Sequence, residues 1–148
     1  NLSNTGTGAL IVIQRDVALG DIEQTGIKID AIVSASLLIN IFVDKTPLHD
    51  GAVIIKNNRI SSATCILPLT KSEIGKELGT RHRAAVGITE TSDAYVLVVS
   101  EETKSVSIAV DGKIYLNLTQ EQIKQFIGGN RKNLKRKFGL RRGYNEGV

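Results

Sequence analysis

Residues 46–66 read TPLHDGAVIIKNNRISSATCI. Two extended runs, 52–56 and 59–66, flank the pair Asn57-Asn58. Asparagine tolerates the left-handed backbone that tight hairpin turns require, so the stretch predicts a β-hairpin. Its first strand, Ala52-Val53-Ile54-Ile55, is apolar without alternation and so reads as buried on both faces. Directly before it stand Pro47, His49, Asp50 and Gly51. Polar residues at the mouth of a core strand either cap a turn or meet a ligand at the strand edge. Glycine after the acid lets a ligand approach the backbone. An adjacent histidine and aspartate can share a divalent metal that acidifies a bound hydroxyl. On this cluster alone the favoured reading is a turn in which Asp50 caps a backbone amide.

Upstream, Ala9–Ile13 is a second short apolar run and predicts a buried strand. Residues 19–25 form a short helix or turn, stopped by Gly26. IKIDAIV (27–33) alternates at first, and Ser34 or Ser36 can N-cap a helix over 37–43. Downstream, residues 71–79 read as a short helix or surface loop. Arg81–Thr89 is predicted helical with Thr80 as N-cap, although Gly87 weakens the helix. AYVLVV (94–99) and Ser105–Val110 are strands, and Asp111-Gly112 turns the latter into Ile114–Leu118. Thr119 and Gln122 fit a capping box opening a helix that ends at Gly128-Gly129. Strands, helices and at least two hairpins intermix. The expected fold is α/β, a single domain with a central mixed β-sheet flanked by helices. Its expected limits are a flexible segment at 1–8, the domain at 9–129 and a basic flexible tail at 130–148.

The composition suits one such domain. The chain has 148 residues, 41% of them hydrophobic and only 4% aromatic, so Val, Ile, Leu and Ala must build the core. The single Cys65 excludes an internal disulfide, fits a reducing compartment and reads as a small core residue. The net charge of +4 is unevenly spread: RKNLKRKFGLRR (131–142) holds seven of the 19 bases and none of the 15 acids. That tail could contact a nucleic-acid backbone or an anionic membrane surface. With one aromatic and no recognised module, it makes a nucleic-acid partner the weaker reading. Met is absent and the first residue is Asn1, which predicts that an N-terminal segment has been removed.

Two further polar clusters stand out. In GTRHR (79–83) two arginines and a threonine open a helix, where N–H groups, dipole and guanidinium charge favour an anion. A salt-bridged helix start is the alternative. Ser100-Glu101-Glu102 follows an apolar strand and, taken alone, reads first as an acidic hairpin turn.

The order of these motifs is more telling than any one of them. TPLHDGAVII, then GTRHRAAVG, then VVSEET, with GALIVI near the start and ILPL between, resembles the diadenylate cyclase (DAC) domain over about residues 8–127. It is most similar to the membrane-anchored branch, which would place the chain at the cytoplasmic side of a bacterial membrane, tethered through a missing N-terminal segment. The resemblance implies condensation of two ATP into cyclic di-AMP and two pyrophosphates, with Mg2+ or Mn2+, at the interface of a homodimer. It implies Asp50 as catalytic acid and metal ligand, and His49 as a second metal contact. Gly51 and Ala52 would let the nucleoside lie against the backbone, and Leu67 would meet adenine through its main chain. Thr80, Arg81 and Arg83 would hold the triphosphate, and Ser100 and Glu102 would complete the phosphate and metal side. Relatives usually carry Pro-Asn where this chain has Asp44-Lys45, and an aromatic where it has Ile66. A nucleotide-binding sensor without activity is the alternative within the same resemblance.

Overall fold

The computed structural model describes residues 7–74 and 78–128. Seven strands form one sheet in the order β2-β4-β3-β1-β5-β6-β7: β1 (Ala9–Ile13), β2 (Ile27–Ile32), β3 (Ala52–Lys56), β4 (Arg59–Cys65), β5 (Tyr95–Val99), β6 (Val106–Val110) and β7 (Lys113–Tyr115). β1 runs parallel to β3, and every other pairing is antiparallel, so the sheet is mixed. The predicted tail and most of the predicted N-terminal segment lie outside the described residues.

Both faces of the sheet are covered, which is why the central strands are apolar throughout rather than alternating. Leu10, Val12, Ala52, Ile54, Val96, Val98 and Ala109 face Ala84, Ala85, Val86 and Ile88 of α3 (Thr80–Glu90). The short α1 (Gly20–Glu23) adds Ile22 to this layer. On the opposite face, Ala9, Ile11 and Val53 pack with Leu37, Leu38 and Ile41 of α2 (Ala35–Ile41) and with the adjoining Phe42. There too, Tyr95, Ile108 and Val110 meet Ile123 and Phe126 of α4 (Gln120–Ile127). Aromatics are few but gathered: Phe126 lies edge-on to Tyr95 at 6.4 Å and tilted to Tyr115 at 5.2 Å between ring centroids. Among the described residues no helix is long and apolar enough to cross a membrane.

Local signals account for most element ends. Asn57 and Asn58 have φ of 52° and 61°, and Asp111 and Gly112 have 54° and 76°, as tight hairpin turns of right-twisted strands demand. Thr119 and Gln122 form the reciprocal capping box of α4. Of the two candidate caps for α2 it is Ser34 that accepts the Leu37 N–H, so the helix starts at residue 35 and ends at 41 rather than spanning 37–43. Thr80 is not a cap: Gly79 takes that position in an extended conformation and Thr80 is the first helical residue. β7 stops at Tyr115, short of Leu118: Asn117 has a left-handed φ of 56° that interrupts the ladder, although the Leu118 N–H still donates to the Val106 carbonyl at 2.8 Å.

Gly87 has a packing reason inside α3. A Cβ there would stand 1.9 Å from the Pro68 carbonyl oxygen. The helix therefore lies directly on the 68–70 segment, whose Thr70 N–H donates to the Arg83 carbonyl at 3.0 Å. Helix and segment together wall the space beyond the C-terminal end of β4.

Candidate active site

That space is a cavity of about 900 Å³, within the range of small-ligand sites. Five separate pieces of chain line it: Leu10 of β1; Pro47, Asp50 and Gly51 before β3; Thr64–Leu67 and Leu69 at and beyond the end of β4; Gly79–His82 and Ala84 at the start of α3; and Val99–Glu102 at and beyond the end of β5.

The wall at β4 depends on an irregular backbone. β3 and β4 pair as Ala52↔Cys65 and Ile54↔Ser62, which leaves an extra residue on β4. Thr64 lies in that bulge with φ 57°, an uncommon conformation for a β-branched residue. Gly51 lies against it with φ 80°, and a Cβ on Gly51 would sit 2.8 Å from the Cys65 carbonyl oxygen. The turn after α1 ties the same strand end down: Thr25 Oγ1 accepts the Ile66 N–H at 2.8 Å. Ile66 and Leu69 remain largely exposed at the rim, at 68% and 53%. Cys65 is buried, as its residue type suggests, and also borders the cavity. Burial, reinforced by the nearby Glu23 charge, pushes its thiol up to about 11.

The charged groups stand on two sides. Asp50 is exposed and its carboxylate accepts the Gly51 N–H at 3.1 Å. Across the cavity Arg81 Nη1 lies 3.6 Å from Glu101 Oε1. His82 has its pKa held below the ordinary histidine value, first by burial and then by the charge of Arg81.

Of the residues singled out in the sequence, Asp50, Gly51, Leu67, Thr80, Arg81, Ser100 and Glu102 share this cavity. Ala52 is fully buried as the first residue of β3, just behind Gly51. His49 and Arg83 are not on the wall. The His49 ring is engaged instead by the Thr46 carbonyl at Nδ1 (2.7 Å) and by Asp44 at Nε2 (3.6 Å). Glu101, His82 and Thr64 line the cavity without having been picked out as site residues. Glu101 and His82 adjoin residues that were, so adjacency was their only signal. For Thr64 no signal exists, because the bulge arises from pairing.

Comparison with known proteins identifies the family and the fold. The family model described as DAC, DisA bacterial checkpoint controller nucleotide-binding, matches residues 1–114. The chain is 56% identical over 121 residues to the cyclic di-AMP synthase CdaA of Bacillus subtilis, covering 81% of this chain and 44% of that protein. It is 55% identical over 116 residues to the diadenylate cyclase CdaS of Bacillus thuringiensis, covering 78% of this chain and 58% of the relative. It thus spans about half the length of these relatives. Among solved structures, DacA from Staphylococcus aureus (an N166C/T172C double mutant) superposes with a TM-score of 0.85 at 44% identity, covering 87% of each chain. A hypothetical membrane spanning protein from Bacillus cereus matches with a TM-score of 0.77 at 54% identity, over 80% of this chain and 58% of that one. With the family model matched over more than three quarters of its length, and the same fold in a solved relative, this chain belongs to the DAC family.

Proposed function

We propose that the chain is a diadenylate cyclase domain that condenses two ATP into cyclic di-AMP and two pyrophosphates. The observation that carries this reading is the convergence of Asp50, Leu67, Thr80–Arg81 and Ser100–Glu102 on one open cavity from four distant pieces of sequence. The names of the similar proteins support it.

Each bond forms when a ribose 3′-oxygen attacks the α-phosphorus of the other ATP and the link to the β-phosphate breaks. Asp50, at the cavity mouth, is the group proposed to take up the 3′-hydroxyl proton. Arg81 and Thr80, at the positive end of α3, hold the triphosphate and offset charge growing on the departing pyrophosphate. Ser100 and Glu102 bound the same region from β5. Gly51 and the 64–67 segment present main chain to the nucleoside. His49 and Arg83 can join only when the nucleotide, or a facing copy, brings phosphate to them.

The donor set suits a hard divalent cation such as Mg2+ or Mn2+. Asp50, Glu101 and Glu102 offer carboxylate oxygens on the cavity wall. No three His, Cys, Asp or Glu side chains among the described residues gather closely enough to cage an ion. Asp50 would therefore hold it, with Glu102 from the far side, and phosphate and water oxygens would fill the remaining positions. Bound there, the ion would supply acidification of the attacking hydroxyl.

One domain presents one such cavity, and a cyclic product needs two reciprocal attacks. Two copies facing across a two-fold axis satisfy this with a single set of residues. Incubation with ATP and Mg2+ or Mn2+, followed by mass analysis, is expected to give cyclic di-AMP and pyrophosphate. Saturable ATP binding with no product would make the chain a nucleotide sensor instead.

A further inference from the structure

Arg81 enters the cavity from the first turn of α3, and so long a side chain can reach many places. Its guanidinium lies over the main chain of Gly8, the residue just before β1. A Cβ built on Gly8 would stand 2.7 Å from Cζ of Arg81, 2.6 Å from Nη1 and 2.9 Å from Nη2. These are the three nearest atoms, all belonging to one side chain. Gly8 has no left-handed φ, so its own backbone does not call for glycine. At Gly26, Gly51 and Gly87, by contrast, the close contacts include backbone atoms. The same Nη1 lies 3.6 Å from Glu101 Oε1.

We propose that Gly8 is a positioning residue for Arg81: its missing side chain is the slot in which the guanidinium lies, facing Glu101. The proposal rests on the reading of Arg81 as a triphosphate-holding group. A side chain at position 8 displaces the guanidinium rather than the fold, because the group in the way is the far end of a flexible side chain.

The test measures binding of 3′-deoxy-ATP, which lacks the attacking hydroxyl and so binds without reacting, beside turnover of ATP. The full chain is used, with Gly8→Ala, Arg81→Ala, the double variant, and Gly20→Ala as a control where nothing lies within 4 Å of the new Cβ. Gly8→Ala is expected to keep the thermal midpoint, weaken 3′-deoxy-ATP by about tenfold and slow turnover by about a hundredfold. Gly20→Ala is expected to do neither. In the Arg81→Ala background, Gly8→Ala is expected to add no further loss, since the two changes remove the same interaction. Parent-like binding by Gly8→Ala, or an equal loss in both backgrounds, overturns the proposal. So does unfolding caused by Gly8→Ala that persists when Arg81 is also alanine, because the glycine would then serve the backbone. If Arg81→Ala itself binds 3′-deoxy-ATP like the parent, the reading of Arg81 fails and the slot has no function. If only Gly8→Ala is silent, that reading stands and the slot alone is wrong.

Discussion

Gly51 meets two constraints at once. Its φ of 80° is unfavourable for any residue with a Cβ, and that Cβ would press on the Cys65 carbonyl oxygen. Gly51→Ala is therefore expected to lower stability by at least about 1 kcal/mol, read from the denaturant midpoint. Its neighbour behaves differently. Asp50 is exposed, so Asp50→Asn should leave the midpoint unchanged while synthesis falls by at least about two orders of magnitude. Near-parent turnover by that folded variant would refute the role of Asp50. His82 supplies a pH signature. Its folded-state pKa is lowered, by burial first and the Arg81 charge second, so the unfolded chain takes up the proton first. Stability held above the ordinary value of 6.5 is then lost as the pH falls below it. Thermal midpoints followed from about pH 7 to about pH 5 should drop less for His82→Gln than for the parent.

At the scale of elements, α3 and the 68–70 segment act as one unit. Helix propensity alone would make Gly87→Ala stabilising by about 1 kcal/mol. Contact with the Pro68 carbonyl reverses the sign, because backbone rather than a movable side chain stands in the way. Gly87→Ala should therefore destabilise the chain in urea and also raise KM, since α3 carries Thr80 and Arg81 and the segment contains Leu69 and adjoins Leu67. Thr119→Ala makes a useful contrast. Loss of the α4 capping box should cost about 1 kcal/mol with kcat and KM unchanged, because no residue of α4 lines the cavity. A change in KM for Thr119→Ala would show that α4 is coupled to the site.

For the whole molecule, the proposed facing pair makes activity depend on association. Specific activity should fall as the enzyme is diluted below the dissociation constant of the pair. A constant value far below that limit would contradict the two-copy mechanism. A locked heterodimer of parent and Asp50→Asn gives a sharper readout. Each Asp50 is proposed to serve one 3′-hydroxyl, so one bond should form and the product should be the linear dinucleotide pppApA. Cyclic product at near-parent rate from the purified heterodimer would show that one Asp50 serves both bonds.

The elements were legible in the sequence because their rules are local. Apolar runs marked β1, β3 and β5, Asn57-Asn58 and Asp111-Gly112 marked the tight turns, and Thr119 with Gln122 marked the start of α4. The motif order, through its resemblance to a known family, also picked out seven residues that share the cavity. What the tertiary structure decided is where distant segments meet. Parallel pairing of β1 with β3 brings Gly8 and Gly51 to neighbouring strands, and antiparallel β5 sets Glu101 beside them. Pairing of β3 with β4 creates the bulge at Thr64, and docking of α3 lays Arg81 over Gly8. Likewise Gly79, not the better capping residue Thr80, stands at the start of α3, where packing of the helix on the sheet and the 68–70 segment outweighs a cap worth about 1 kcal/mol. Propensity acts between neighbours in the chain, whereas these contacts join positions tens of residues apart, and only sheet order and packing set their distances.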